Sequence, residues 1–477
     1  MPVTDKTGAI PIVVDMDGTL IATDTLVEGA LLLFKRDPLS VVRMLGWLAR
    51  GKARLKARIA EEVTLDVPRL PYRPQVLEYL QTARAAGRRI VLATAADARV
   101  AEQVADFLGL FDDVLASDGV LNLAGEDKRR RLVEVFGEKG FDYVGNTLAD
   151  VPVWRSARTA VVVGSSSRLR RRVAQVTQIG QVIEKTDTGL VDYISALRLH
   201  HWLKNLLLFT PLVAAHRITE AALFNPVALA FLVFGLCASG VYLLNDLMDL
   251  EVDRQHPHKR ERPIPAGRVQ IHLILAGLPA LLAAGLGLSF LLPWGFVVVV
   301  ASYLVLNLAY SLRLKAVPIL DVLVLAGLYT LRIIGGSVVT GIWLSPWLLT
   351  FAMFVFLSLA LVKRYAELTL RVEEGGRGMA RGYQVDDAEL LSSLGGAAGY
   401  IAVLVLAFYI ESGTSHALYR RPHVLWALCV LLLYWISHLW LMAHRKRMND
   451  DPLVFALRDP VSRLLMALMA LVLLAAV

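Results

Sequence analysis

The sequence predicts two architectures in series: a Rossmann-like α/β domain, then an all-α polytopic membrane domain of about nine transmembrane helices. Three observations carry this. At 477 residues the chain is too long for one ordinary domain, and 56% apolar content with a mean hydropathy of +0.54 is too apolar for two soluble ones. The apolar residues are unevenly placed: up to about residue 200 they come in short runs among charges, and beyond it in long blocks separated by polar loops. Within the first part, short β-branched runs alternate with helical stretches. The expected division is 1–185 for the α/β domain, 186–200 for a linker and 201–477 for the membrane domain.

Residues 10–14 and 90–93 read as buried parallel strands, each ending where polar residues begin, and 141–144 and 159–163 repeat the pattern. Stretches 74–86 and 99–108 read as the intervening helices, so chemistry is expected at the strand C-termini. The first apolar run is far too short for a secretory signal and ends in Asp15, which leaves the N-terminal half in the cytoplasm. Cys237 and Cys429 both lie in apolar blocks and read as packing residues. The formal charge of +8 is assigned to basic loops facing anionic headgroups and to phosphorylated substrates, not to nucleic acid.

Apolar spans are expected at about 202–216, 223–244, 271–292, 294–311, 319–340, 346–362, 391–410, 423–443 and 461–477. Alternate loops carry nearly all the cations, among them Arg254, Lys259, Arg260, Arg262, Arg313, Lys315, Lys363, Arg364, Arg371, Arg377, Arg381 and Arg445, whereas the opposite loops offer Arg217, Arg420 and Arg421. That asymmetry puts the basic loops and the N-terminal domain on the cytoplasmic face of the inner (plasma) membrane.

Asp15-Met-Asp17-Gly18-Thr19 follows directly on a strand. One carboxylate of such a pair can attack phosphorus while the other supplies a proton to the leaving oxygen, with Mg²⁺ offsetting their repulsion. These residues resemble the haloacid dehalogenase-like phosphatases over about 8–183. The resemblance implies Asp15 as nucleophile and Asp17 as general acid/base, Thr94 as the hydroxyl that holds the phosphoryl group, and Lys128 as its neutralising cation. It implies Mg²⁺ held by Asp15, the Asp17 main-chain carbonyl and Asp150. Asn146 stands where the family usually has Asp. Residues 23–70 fall where the family inserts a helical cap, here rich in cations from Lys35 to Arg58 interleaved with Leu45, Trp47, Leu48 and Leu55. Such a helix can lie on an anionic bilayer or be a solvated cap face.

The second span ends in Asn245-Asp246-Leu-Met-Asp249-Leu-Glu-Val-Asp253. Spacings of three and four put the three aspartates on one helical face, and clustered carboxylates with oxygen-only ligands imply bound Mg²⁺. The loop continues through Arg254, Lys259, Arg260 and Arg262, pinned by prolines, which suits a diphosphate leaving group. This motif resembles the UbiA-type prenyltransferases over about 195–477. Most members carry a second DxxxD; here Tyr310, Arg313 and Lys315 are followed by Asp321, with Leu325 four residues on. With Lys204-Asn205, Arg332 and Lys363-Arg364-Tyr-Ala-Glu367, the departure resembles the decaprenyl-phosphate phosphoribosyltransferase branch. The branch implies transfer of a 5-phosphoribosyl group from 5-phosphoribosyl 1-diphosphate to a polyprenyl phosphate. Asp246, Asp249 and Asp253 would hold Mg²⁺ and diphosphate, oriented by Asn245, and Lys204, Arg260, Arg262, Lys315, Lys363 and Arg364 would share the phosphates. For Lys363 and Arg364, anchoring at the membrane face is the other reading.

Fusion of the two domains suggests successive steps, the first removing a 5-phosphate from the product of the second. The rival enzyme reading is a prenyl diphosphate-dependent transferase acting on an aromatic or other small acceptor, which a second DxxxD would favour. A transporter or scaffold would show no turnover with any diphosphate.

Overall fold

The computed structural model describes residues 10–164, 166–184, 189–256, 258–373, 382–448 and 451–477. The start of the expected linker (186–188), Pro257 of the basic loop, and Arg377 and Arg381 lie outside the described residues. Two compact units result: residues up to Arg198 together with Tyr242–Pro279, and Leu199–Val241 together with Ala280–Val477.

The first unit is built on six parallel strands: β1 Ile12–Val14, β2 Ile90–Asp97, β3 Asp113–Ser117, β4 Asp142–Gly145, β5 Thr159–Val163 and β6 Gln178–Ile183, in spatial order β3-β2-β1-β4-β5-β6. Alternation along the strands builds two cores. Ile12, Val14, Ile90, Leu92, Val144 and Val161 face one side, and Val13, Val91, Ala93, Tyr143, Ala160 and Val162 the other. The strand order reverses between β1 and β4, which opens a crevice at their C-terminal ends. Three helices, Thr25–Arg36, Ser40–Leu48 and Lys52–Glu62, form the expected cap, the first capped by Asp24, whose side chain accepts from the amides of Leu26 and Val27.

Among the described residues, seven helices are long and apolar enough to cross a membrane: Ala221–Met248, Ile271–Ser289, Trp294–Leu312, Leu320–Thr340, Pro346–Leu370, Asp387–Ile410 and Pro422–His444. An eighth span arises if Pro452–Arg458 and Pro460–Ala476, bent by 85°, count as one. The first expected span, 202–216, is instead 3₁₀ turns over Leu199–Phe209 and a short helix Thr210–Ala214. Pro211, in the first turn of that short helix, has no amide hydrogen to carry a continuous α-ladder through this point. This segment packs closely: a Cβ on Gly336 would come within 2.0 Å of the Leu208 carbonyl oxygen. Only glycine permits that approach between backbones.

Candidate functional site

In the first unit, β1 delivers Asp15 into the crevice, with its amide donating to the Val144 carbonyl of the neighbouring strand (3.0 Å). The turn that follows needs Gly18 at φ +74°, and a Cβ there would meet Asn146 Nδ2 at 2.5 Å. Buried Lys128, from the helix Gly125–Phe136, donates to Asp15 Oδ1 (2.7 Å) and to the Tyr143 hydroxyl (3.1 Å). The Thr19 hydroxyl lies 3.2 Å from Asp15 Oδ2 and 3.1 Å from Asn146 Oδ1. Asp150 is held by Tyr143 Oη on one oxygen (2.9 Å), and by the Asn146 and Thr147 amides and the Thr147 hydroxyl on the other. Thr94, fully buried in β2, accepts from the Ala96 amide (3.0 Å).

Asp17 is held differently: its Oδ1 accepts from the Thr25 amide at the start of the cap (2.9 Å). Burial, with Asp24 and Asp15 nearby, pushes its carboxyl up to about 7. It therefore carries a proton in part of the molecules at neutral pH, which is what a general acid/base requires. Burial and Asp150 also raise Asp15, although Lys128 opposes the shift. From the cap, Lys56 donates to the Ala95 carbonyl (2.6 Å) and to Asn122 Oδ1 (2.8 Å).

The acidic motif also belongs to the first unit. The helix Ala221–Met248 ends just before Asp249, whose φ and ψ of −99° and 12° interrupt it before Leu250–Gln255. The continuous helix expected from the spacing is thus kinked, although Asp249 N–Asn245 O (2.9 Å) and Asp253 N–Asp249 O (2.8 Å) preserve its hydrogen bonds. Arg262 Nη1 lies 2.7 Å from Asp253 Oδ2 and 3.5 Å from Asp246 Oδ1, so these two acids share one guanidinium. Arg198, at a positive φ of 52°, brings Nη2 to 2.5 Å from Asp246 Oδ1 and stacks over Tyr242. Arg260 is exposed on the same loop.

In the second unit Lys204 and Lys363 converge on Asp451 Oδ2 at 2.8 and 3.4 Å. Arg332 is buried with Asn205 Oδ1 (2.9 Å), the Leu328 carbonyl and Tyr303 Oη (3.2 Å). Arg364 is buried between Asp321 (2.7 Å) and Glu367, and Asp321 also accepts from Tyr383 Oη (2.6 Å). Arg332, Arg364 and Asp321 therefore brace the bundle interior. Tyr310 is buried in Trp294–Leu312, and Lys315 sits in the turn after it. Arg198, Tyr383 and Asp451 were not singled out by the sequence; of these only Asp451, before Pro452, carries a recognisable signal, that of a helix N-cap.

Among the described residues no three His, Cys, Asp or Glu side chains stand together as a metal cage. Both acidic constellations nonetheless offer hard oxygen donors beside fixed cations, the donor chemistry that Mg²⁺ accepts when water and substrate phosphates complete its shell.

A capped α/β domain with an Asp15–Lys128 crevice, followed by helices long and apolar enough to cross a membrane, defines an integral membrane protein with a phosphatase-like domain in front. The sequence model of the UbiA prenyltransferase family matches residues 207–458, and that of the haloacid dehalogenase-like hydrolases matches 12–155. The uncharacterized protein y4nM of Sinorhizobium fredii is 37% identical over 466 residues, 97% of this chain and 90% of that protein. The nodulation protein NoeC of Azorhizobium caulinodans is 36% identical over 276 residues, 56% of this chain and 88% of that protein. The decaprenyl-phosphate phosphoribosyltransferase of Corynebacterium glutamicum is 41% identical over 188 residues, 39% of this chain and 57% of that protein. The chain belongs to the UbiA prenyltransferase family and is an enzyme of that family with a haloacid dehalogenase-like domain at its N-terminus.

Proposed function

We propose that the chain transfers a 5-phosphoribosyl group from 5-phosphoribosyl 1-diphosphate to a polyprenyl phosphate at the cytoplasmic face of the inner membrane, and that its N-terminal domain then removes the 5-phosphate. The observation that carries the transfer is the Asp246–Arg262–Asp253 bridge at the end of a membrane-crossing helix, with Arg198 behind it. Acids and fixed guanidiniums at one point suit a leaving diphosphate better than a lone metal cage would. The identity to a decaprenyl-phosphate phosphoribosyltransferase supports the choice of donor.

In the transfer, an oxygen of the lipid phosphate bonds to C1 of the ribose as the C1–O bond breaks and diphosphate leaves. Arg198 and Arg262 would take up the charge on the leaving group. In the N-terminal domain an Asp15 oxygen attacks the 5-phosphoryl group while Asp17 donates its proton to the departing ribose oxygen. Water then releases phosphate from the aspartyl phosphate, with Asp17 taking the proton. Lys128 balances the phosphoryl charge. Mg²⁺, when bound beside Asp15 and Asp150 and beside Asp246, Asp249 and Asp253, supplies further charge neutralisation.

Purified protein with labelled 5-phosphoribosyl 1-diphosphate, polyprenyl phosphate and Mg²⁺ is expected to yield a polyprenyl phosphoribose, and Asp15→Asn to accumulate the 5-phosphorylated lipid. No lipid product with this donor, but turnover of a prenyl diphosphate, would overturn the transfer; the same product from Asp15→Asn and parent would overturn the hydrolysis.

A further inference from the structure

The cap carries a feature that neither proposed reaction uses. In Ser40–Leu48 the buried Ser40 and half-buried Met44 and Trp47 mark the inner side, whereas Val42 is 72% and Leu45 62% exposed, with Leu39 and Leu48 exposed beside them. Val42 and Leu45, three residues apart, share the outer face, with Leu39 and Leu48 at its two edges. Large apolar side chains massed on water mark an interaction surface. Its surroundings are cationic: Arg50, Lys52 and Arg54 are exposed, and residues 25–62 hold eight Lys and Arg against four Asp and Glu.

The root of the cap is fixed within the same unit. Glu28, one turn into Thr25–Arg36, accepts from Arg254 through both oxygens at 2.7 and 2.8 Å, and both side chains are buried. Gly267, at φ +67°, sits so close to Ala22 that a Cβ there would approach Ala22 Cβ to 2.6 Å. Arg254 and Gly267 both belong to the short connection between two membrane-crossing helices, Ala221–Met248 and Ile271–Ser289. The cap is thereby tied to the connection between those two helices.

We propose that helix Ser40–Leu48 is a membrane-surface contact. Leu39, Val42, Leu45 and Leu48 enter the headgroup region, and Arg50, Lys52 and Arg54 sit on anionic lipid phosphates. Apolar burial and attraction to anionic headgroups act together in such helices. The contact adds a second point of attachment for the phosphatase-like domain and holds its crevice at the surface where a lipid-linked monoester resides.

The test uses the full chain in nanodiscs with Val42→Cys or Leu45→Cys carrying an environment-sensitive fluorophore; Cys237 and Cys429 are buried. Val135→Cys, on the helix Gly125–Phe136, is the reference. With phosphatidylglycerol in the disc, nitroxide-labelled lipid is expected to quench positions 42 and 45 at least about twofold more than 135. Arg50→Glu with Lys52→Glu should weaken the quenching, by about fivefold in helix partition per cation removed. Water-like, unquenched emission at both positions overturns the proposal, as does quenching that is indifferent to lipid charge. Cross-linking of two copies through position 42 would assign the face to a second chain instead and equally overturn it.

Discussion

Removing Arg254 should release the cap from the connection that holds it. Arg254 donates to both oxygens of Glu28 and, through Nε, to the Pro265 carbonyl at 3.0 Å. Both charged side chains are almost wholly out of water, at 6% and 3% exposure, so the pair is scarcely screened. Arg254→Ala leaves the Glu28 carboxylate buried without a counter-charge, a change that costs about 3–5 kcal/mol in comparable pairs. At about 1.4 kcal/mol per tenfold, the opening equilibrium of Thr25–Arg36 should rise by roughly two to four orders of magnitude. Hydrogen exchange read by mass spectrometry on the full chain, peptide by peptide, measures this. Glu28→Gln with Arg254→Met removes both charges and should recover most of the protection, since replacing a whole buried pair is often close to neutral. The Thr25 amide that holds Asp17 lies at the start of this helix, so phosphomonoester hydrolysis should fall in the single variant and recover with the double. If exchange over Thr25–Arg36 is the same in parent, single and double variants, the pair does not hold the cap and the reasoning fails.

Lys128→Met should abolish phosphatase turnover, by about a hundredfold or more, because Asp15 loses its buried counter-charge; p-nitrophenyl phosphate hydrolysis reads this, and activity within a few-fold of parent would exclude Lys128 from the site. Gly336→Ala places a methyl against the Leu208 carbonyl and should cost about 1–3 kcal/mol, whereas Gly396→Ala, with nothing within 4 Å, should leave the melting temperature unchanged. Asp142 lies under a burial cost that favours its neutral form, but Arg158, Thr159 and Arg88 outweigh it and hold the carboxyl below its usual range. Its folded-state value is depressed, so its contribution is present above the ordinary carboxylate value of 3.8 and is lost as pH falls through the lower folded value. Asp142→Asn should therefore melt below parent at neutral pH, and the gap should close on acidification below that range; a gap that is constant with pH would refute the assignment.

The interior of the α/β sheet could be read from the chain because β1, β2, β4 and β5 are apolar runs with one abrupt polar end. The two strands that went unread, β3 and β6, are the sheet's edges, and sequences such as Asp113-Val-Leu-Ala-Ser117 lack the burial on both faces that makes such a run conspicuous. The crevice of the α/β domain was legible for a related reason: Asp15, Asn146 and Asp150 follow strands, and strand ends can be found from pattern, whereas β2 runs on past Thr94 to Asp97. In the membrane domain the spacing of Asp246 and Asp253 foretold a shared face, which Arg262 now bridges, but the kink at Asp249 depends on dihedrals that spacing does not encode. Arg364 was read with Lys363 as a phosphate candidate at the membrane face, and Arg332 as functional because an arginine in an apolar span invites that reading. Their partners Asn205 and Asp321 lie far off in sequence, and only packing reveals that these cations are paired inside the protein.

The chain enters its first compact unit twice, and synthesis must respect that order. Glu28 leaves the ribosome 226 residues ahead of Arg254. At about 5–20 residues per second that is a delay on the order of 10–45 s, during which a membrane helix must also be threaded. Until then the nascent cap carries a carboxylate with no mate, and the phosphatase-like domain waits in an unfinished state for the bilayer to return its missing piece.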